Sequence, residues 1–484
     1  MNHSLPVLEV HDEYEKKEKC GVFGVWGTPA ASQLTYVGIF AQQHRGQESA
    51  GIAVTTGKDL NAYTGMGLVS QVFNPRMLIE ELAGTGAIGH VRYSTTGSSK
   101  LCNAQPLLRQ YRMGPVAVAH NGNLINAQLL RAEYEAHGHI FQSTTDTEII
   151  VHLLAKPSHV ERHDPLPHVL QHLQGAYSLL FLFPDRIEAA RDPWGIRPLS
   201  IGRMPDNGPY VVASETCAFD AIGAEFIRDV LPGEIVRIDD HGLTSRIFAD
   251  PAPEGAKCVF EHVYFANPAS NVFGINVQRV REELGRQLAR ESSVDGDCVV
   301  PMPDSGRTAA LGFSKESGIP FMEAIVPNRF VGRTFILPDQ AARDRAVNLK
   351  LNIIADLVRD KRIIVVDDSI VRGTTTRSKM RALRRAGAKE IHLRISCPPI
   401  RHPCFYGIDF ATPQQLIAHE RTLDEIRDFI EVDSLAYLSL EGTLAASKID
   451  PKNACTACWT GQYKVPVDHP VTKFAYEREQ LPLF

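Results

Sequence analysis

Residues 362–376 read Arg-Ile-Ile-Val-Val-Asp-Asp-Ser-Ile-Val-Arg-Gly-Thr-Thr-Thr, an apolar run ending in two adjacent acids and a loop of small and hydroxyl residues. Four consecutive branched aliphatic residues, Ile363 to Val366, suit a strand covered on both faces in a parallel sheet. Asp367 and Asp368 then fall at its carboxyl end, the edge where open α/β sheets bind ligands. Beyond the acids, Ser369 and Gly373 to Thr376 offer hydroxyls and unobstructed N–H groups ahead of an amphipathic stretch, Arg377 to Ala386, which Gly387 terminates. A phosphate fits at that helix start. By itself Asp-Asp-Ser is satisfied as acids capping a turn; the whole fifteen-residue pattern is far more specific.

Working outward, runs at Cys298 to Met302, Pro320 to Ile325 and Glu390 to Ser396 alternate with helical stretches, the pattern of βαβ crossovers in a parallel sheet. From Cys20 to about Ile247, short β-like runs such as Gly51 to Val54, Pro115 to Ala119 and Ala176 to Phe183 alternate with turn signals and a few helices, which suits an α+β unit. Asp250 to Lys257 breaks both periodicities and reads as a linker. A chain of 484 residues exceeds one ordinary core in any case. The expected division is a polar leader over 1–19, units over 20–250 and 258–450, and a tail over 451–484. The leader, dense in Glu and Lys near its end, cannot build a core.

The 44% hydrophobic content is normal for a soluble protein, and a net charge of -5 gives no basic field for nucleic acid. Anionic ligands must be met by local cations and backbone dipoles. No apolar run nears the roughly 20 residues of a membrane helix, and Asn2 to Lys19 has no signal-peptide core. A cytoplasmic protein without nucleic-acid or membrane partners is therefore expected. Nine cysteines, an odd number scattered over a long chain, form no secreted disulfide framework. Cys102, Cys217, Cys298 and Cys397 read as small buried apolar residues.

Cys20 opens Cys-Gly-Val-Phe-Gly-Val-Trp, a segment suited to an inner strand in which a thiol would ordinarily pack. The leader changes that reading, because cleavage before Cys20 places thiol and α-amine on one residue. An α-amine titrates at about 7.7 to 8.0, so it can take the thiol proton and return it to a leaving amine without a catalytic histidine. Together with Gln43-His44-Arg45-Gly46-Gln47-Glu48-Ser49, Gly89-His90-Val91-Arg92-Tyr93-Ser94 and His120-Asn121-Gly122-Asn123, this start resembles the N-terminal-nucleophile glutamine amidotransferases. The resemblance implies a four-layer sandwich of two sheets between helices, with Cys20 attacking the glutamine amide. It also implies an oxyanion hole made by the Asn121 side chain and Gly122 N–H. Arg92 would take the glutamine α-carboxylate through its planar fork, and Asp146 the α-ammonium. From local pattern alone, Asn121-Gly122 predicts a hairpin turn. Thr145 and Glu148 have capping-box spacing ahead of an Ile149, Ile150, Leu153, Leu154 stripe, with Asp146 in the first turn.

Residues 362–376 resemble the phosphoribosylpyrophosphate (PRPP) motif of type I phosphoribosyltransferases. That implies Asp367 and Asp368 on the ribose hydroxyls and the magnesium complex, and a 5-phosphate held by Ser369, Arg372, Gly373, Thr374 and Thr375. Pro301 to Arg307 matches the family's pyrophosphate loop, with Ser305 near magnesium. Asn328 to Phe335 and the polar stretch to Lys350 lack clean periodicity and read as a mobile lid. In the family this loop closes over PRPP, giving Arg329, Arg333 and Lys350 as anion contacts. Departure of diphosphate from the anomeric carbon needs magnesium and cations, and ammonia must reach that carbon shielded from water.

The two halves in this order resemble the amidophosphoribosyltransferase family, which makes 5-phosphoribosylamine, glutamate and diphosphate from glutamine, PRPP and water and so commits PRPP to purine synthesis. Cys455-Thr456-Ala457-Cys458 has spacing suited to a metal centre, a redox disulfide or half a zinc site, and spacing does not choose. Resemblance to the iron–sulfur subclass adds Cys258 and Cys404 and implies one structural 4Fe–4S cluster. The same subclass has a cleaved leader, although Lys19 stands where an acidic residue is expected. A homotetramer inhibited by purine nucleotides is likewise implied. Two other readings compete: a different glutaminase-coupled synthase, such as one making glucosamine phosphate, has no need of Asp367-Asp368. A non-catalytic PRPP-sensing regulator has no use for Cys20, Arg92 and Asn121 together.

Overall fold

The computed structural model describes residues 20–93, 98–328, 351–408 and 412–467. The leader, Arg329, Arg333, Lys350 and the end of the tail lie outside the described residues.

Alternation along one strand sets the architecture of the first half. In Gly21–Trp26, Phe23 and Val25 point into a core shared with the helix Ala31–Ala41, while Val22 and Trp26 point into a second core on the opposite face. This strand lies centrally in a seven-stranded sheet, in the order Glu225–Asp229, Ser200–Arg203, Tyr210–Ala213, Gly21–Trp26, Gly86–Arg92, Ser49–Thr55, Leu60–Met66. A six-stranded sheet faces it, in the order Gly242–Ile247, Glu234–Asp239, Arg186–Arg191, Gly175–Phe183, Gly114–Leu124, Leu107–Tyr111. Ala117, Ala119, Leu180, Leu182 and Val236 of the second sheet meet Val22, Ile88 and Val212 of the first in a dry layer. Helices Ala127–Ala136, Glu148–Ala155 and Leu166–Gln171 cover the outer face of the second sheet. The result is the four-layer sandwich of the N-terminal-nucleophile hydrolases.

The second half is built on a parallel sheet ordered Cys298–Pro301, Arg362–Asp367, Glu390–Ile395, Ser434–Tyr437. Its central strand is buried from Ile363 onward, as a branched aliphatic run covered on both faces requires. Helices Val277–Glu291 and Arg307–Ser317 cross in backbone contact. A Cβ on Gly285 would stand 1.8 Å from the Ala309 carbonyl oxygen, and one on Gly312 1.9 Å from that of Glu282. The halves are interlocked: Ile125, Ala176 and Ile196 of the first belong to the hydrophobic core of the second. Residues 250–257 are tied down as well, with Ala252 and Ala256 donating to the carbonyls of Pro193 and Trp194, and Gly255 to the Asn453 side chain. Among the described residues no helix is long and apolar enough to cross a membrane.

Local pattern misleads at four places. Asn121-Gly122 makes no hairpin turn; both residues lie inside the long strand Gly114–Leu124, whose pairing with Gly175–Phe183 overrides the dipeptide's preference. Thr145 and Glu148 form no capping box. The helix starts at Glu148, and that carboxylate instead accepts hydrogen bonds from Gln142, Ser143 and Arg109. Pro320 to Ile325 is not one strand. Pro320 lacks a donor, the chain makes only an isolated bridge at Phe321, and Ile325–Pro327 pairs separately with Leu351–Ile353. The phosphate-loop helix spans Thr374–Arg385, three residues ahead of the predicted start, because Gly373 at φ 77 turns the chain directly into it.

Gly285→Ala is expected to destabilise the protein by about 1–3 kcal/mol or more, since two helix backbones would have to separate. Denaturant unfolding should show a lowered midpoint; a midpoint equal to that of the parent protein would contradict this packing.

Candidate active site

Cys20 immediately precedes the central strand, which pairs with Gly86–Arg92, so register brings Arg92 to the same end of the sheet. Its Sγ donates to the Tyr93 carbonyl at 3.5 Å. Burial pushes the thiol up to about 11 against the pull of the Tyr93 contact and Arg92, while Asp146 and Glu48 add to the upward push. Such a thiol is protonated at neutral pH and needs a base to become a nucleophile. Asn121 is held by Ser214: its Nδ2 donates to Ser214 Oγ at 3.3 Å, and the same oxygen accepts the Val22 N–H at 3.1 Å. One serine thus registers the second sheet's Asn121 against the strand that begins beside Cys20.

Asp146 is buried, and its Oδ2 accepts the Leu124 N–H at 2.8 Å. Burial alone would raise its pKa, but His120 and that N–H outweigh it and hold the carboxyl below the ordinary range. Arg92, also buried, donates from Nη1 to the Ser98 carbonyl at 3.3 Å and lies 3.6 Å from Glu48. Strand register and the Ser214 tie therefore bring Cys20, Arg92 and Asn121 to one place, where the charges of Arg92 and Asp146 act on the thiol in opposite senses.

Behind this site lies a network that sequence reasoning missed. Arg45, with no exposed side-chain surface, donates from Nε to the Cys20 carbonyl at 2.9 Å, from Nη1 and Nη2 to Glu261 at 3.0 and 3.1 Å, and from Nη1 to Glu215. Glu261 also accepts from Arg197 Nη1 at 3.2 Å, and Arg197 donates through Nε and Nη2 to the Tyr406 carbonyl. Glu215 further accepts from His44, the Asn267 N–H and Ser270. Burial would raise the Glu215 pKa, but His44 and Arg45 drive it well below the usual carboxylate range. Burial opposes the Arg45 cation, and Glu261 and Glu215 more than offset it. The signal available in the sequence was Glu261 itself, a charge inside the otherwise apolar run Cys-Val-Phe-Glu.

In the second half Asp367 ends the central strand, and its Oδ1 accepts the Asp368 N–H at 2.9 Å. Ser369 donates to Asp368 Oδ1, and all three residues are buried. The loop with Ser305 packs on the same strand end. Met302 donates to the Val366 carbonyl at 2.8 Å, and Gly306 lies so close that a Cβ there would stand 2.4 Å from that oxygen. Thr374 and Thr375 occupy the first turn of their helix, where N–H groups have no partner in the helix ladder. Arg372 donates to Gln415 at 2.8 Å and lines a cavity of about 280 Å³ with Thr374, Arg421 and Phe429. Arg281, a residue without a sequence signal, is buried and bonds the carbonyls of His262 and Ala266. Burial lowers its pKa, and Asp368 is foremost among the carboxylates that oppose the fall.

Cys258 and Cys455 are register partners in a short parallel pairing of Lys257–Cys258 with Ala454–Cys455. The Cys458 carbonyl accepts from the N–H groups of Arg401 and His402, just ahead of Cys404. Burial raises all four thiols, and Cys458 is raised further by the charges of Cys404, Cys258 and Cys455. Burial lowers the Arg197 pKa, but Cys258, Glu261, Cys404 and Cys455 raise it on balance. The four cysteines thus share one neighbourhood, with Cys258 and Cys458 buried and Cys404 and Cys455 partly exposed, and all are free of disulfides. Among the described residues no three His, Cys, Asp or Glu side chains form a single-ion site.

A family model described as a glutamine amidotransferase domain matches residues 90–221. The amidophosphoribosyltransferase of Bacillus subtilis is 48% identical over 455 residues, covering 93% of this chain and 95% of that one. The solved glutamine PRPP amidotransferase from B. subtilis, complexed with ADP and GMP, matches with a TM-score of 0.88 and 46% identity over 94% of this chain and 99% of that one. A structure described as the allosteric regulatory enzyme of purine biosynthesis matches with a TM-score of 0.89, 46% identity and the same coverage. A glutaminase sandwich joined to a phosphoribosyltransferase sheet defines a glutamine amidotransferase that is also a pentosyltransferase. The chain belongs to the amidophosphoribosyltransferase family.

Because the Asp146 charge adds to the upward push on the thiol, Asp146→Asn is expected to move Cys20 alkylation in the 484-residue chain to lower pH, by up to about one unit. Peptide mass spectrometry across pH reads the shift; an unchanged profile would separate Asp146 from the site.

Proposed function

We propose that this amidophosphoribosyltransferase makes 5-phosphoribosylamine, glutamate and diphosphate from glutamine, PRPP and water, with Cys20 as its nucleophile once residues 1–19 are removed. The observation carrying this reading is the meeting of Cys20, Arg92, Asp146 and Asn121 in one buried site of a chain whose parallel sheet ends in Asp367-Asp368. The reaction is the first committed step of purine biosynthesis.

In this reading Arg92 receives the glutamine α-carboxylate and Asp146 the α-ammonium, which aims the side-chain amide at Cys20. The freed α-amine takes the Sγ proton, a transfer the thiol requires because burial otherwise keeps it neutral. Sγ adds to the amide carbon while Asn121 Nδ2 and Gly122 N–H hold the oxygen that gains charge. The amine returns its proton to the departing nitrogen, ammonia leaves, and water cleaves the thioester to glutamate.

At the second site the acids of Asp367 and Asp368 take the ribose hydroxyls. Ser369, Arg372, Gly373, Thr374 and Thr375 hold the 5-phosphate at the helix start. The oxygens of Ser305, Asp367 and Asp368 suit a hard divalent ion, and magnesium when bound offsets the charge of the leaving diphosphate. Arg329, Arg333 and Lys350 serve as its anion contacts. Cys258, Cys404, Cys455 and Cys458 supply the Cys₄ donor set of one 4Fe–4S cluster, which would tie residues 257–258, 404 and 454–458 together. Purine nucleotides are proposed as feedback inhibitors, a reading supported by the ADP and GMP in the B. subtilis relative. A cytoplasmic homotetramer completes the proposal.

Cys20→Ser is expected to lose glutamine-dependent synthesis by at least about a thousandfold while retaining synthesis from ammonium; loss of both in a folded variant would contradict two separable sites. Cys458→Ser should lower the iron and acid-labile sulfide recovered per chain, and full retention of both would remove it from the cluster ligands.

A further inference from the structure

The strand carrying Asn121 and Gly122 does not end its contacts within its own sheet. Asn123 Nδ2 donates to the Phe405 carbonyl at 2.9 Å, across 282 residues of sequence. Two residues further on, Gly407 sits at φ 100 against Gly122 itself. A Cβ at 407 would stand 3.0 Å from both the carbonyl carbon and the oxygen of Gly122, and 3.3 Å from Arg197 Nη2. Arg197 clasps the intervening Tyr406 carbonyl and reaches Glu261, which holds Arg45, whose Nε binds the Cys20 carbonyl.

Gly122 needs such support for a physical reason. It lacks a side chain to lock its orientation, yet its N–H must point at one developing charge. On the opposite side of the residue the Ala176 carbonyl closes the space, at 2.0 Å from where a Gly122 Cβ would lie. Gly122 is thus held between Ala176 of its own sheet and Gly407 of the transferase half. The desolvated Arg197–Glu261–Arg45 chain fixes Cys20 relative to that same loop.

We propose that Gly407 of the transferase half and Arg197, which grips the neighbouring Tyr406 carbonyl from the glutaminase half, are positioning residues for glutamine hydrolysis, setting the Gly122 N–H and the Cys20 backbone in register. The proposal rests on the reading of Asn121 and Gly122 as the oxyanion donors. A side chain at 407 pushes on the Gly122 carbonyl, across the same Cα from the N–H, and so turns the backbone that carries that donor, while a lysine at 197 cannot span Tyr406 and Glu261 at once. Both changes misplace donors that matter chiefly in the transition state.

The test uses intact processed enzyme carrying Gly407→Ala, Arg197→Lys or Asn123→Ser, the last removing the amide that donates to Phe405. Each is expected to lower kcat for glutamine about 10- to 100-fold. The KM for glutamine and the rate with ammonium should stay within about twofold, as is expected when only transition-state contacts are lost. Affinity for an aldehyde analogue of glutamine, whose thiol adduct needs the oxyanion donors, should fall in parallel with kcat. Equal losses with glutamine and ammonium, or unchanged kcat in the folded variants, would overturn the proposal. Asn121→Ala separates the layers: an unaffected kcat there sinks the oxyanion reading itself. A loss there with normal kcat in the other three sinks only the buttress.

Discussion

Two arginines and two glutamates, Arg45, Arg197, Glu215 and Glu261, have no exposed side-chain surface at all. Ions so removed from water carry a desolvation penalty of several kcal/mol each and persist only where every charge is met. Here the pairing is nearly saturated, with each carboxylate taking two or more donors. Taking one partner away leaves a buried bare charge, a loss of about 3–5 kcal/mol. Because the chain of ions begins at the Cys20 carbonyl and ends at the Tyr406 carbonyl, the halves of the molecule cannot be treated as beads on a string. Their shared hydrophobic cluster, with Ile125, Ala176 and Ile196 seated among transferase residues, makes the same point in apolar terms.

The two sites handle charge in contrasting ways. Around Cys20 the charges belong to side chains, Arg92 against Asp146 and Glu48, acting on a thiol that burial keeps protonated. Around Asp367 the working elements are a strand end, a tight loop pressed on that strand and the first turn of a helix, so the backbone itself supplies much of the field. Amide hydrolysis needs a few exactingly placed donors, whereas a ligand with several phosphates needs many. Arg281 links the two regions: it holds the carbonyls of Ala266 and of His262, the residue after Glu261, and Asp368 is foremost among the carboxylates that favour its charge.

What was legible in the sequence follows from the range of the interactions. The strand at 362–367 could be read because its aliphatic run and terminal acids are contiguous, and the strand at 21–26 because alternate residues serve two cores. The motifs around Arg92, Asn121 and Asp146 were visible for the same reason; strand register then sets Arg92 beside Cys20, Ser214 ties Asn121 across to Val22, and the Leu124 N–H holds Asp146. Asn121-Gly122 and Thr145-Glu148 misled because both patterns report local preference, which long-range strand pairing and the ties from Gln142, Ser143 and Arg109 to Glu148 override. The pairings within the ion network were hidden on other grounds, although Glu261 stood out as a charge beside an apolar run. Arg45 meets Glu215 and Glu261 across 170 and 216 residues, and no periodicity encodes such a partner.

The claim that a buried ion network and a shared core weld the two halves into one cooperative body is met most directly by scanning calorimetry of the intact enzyme. The account requires a single transition in which both halves melt together, its calorimetric enthalpy matching the van't Hoff value for that unit. Two resolved transitions, one confined to each half, would contradict it.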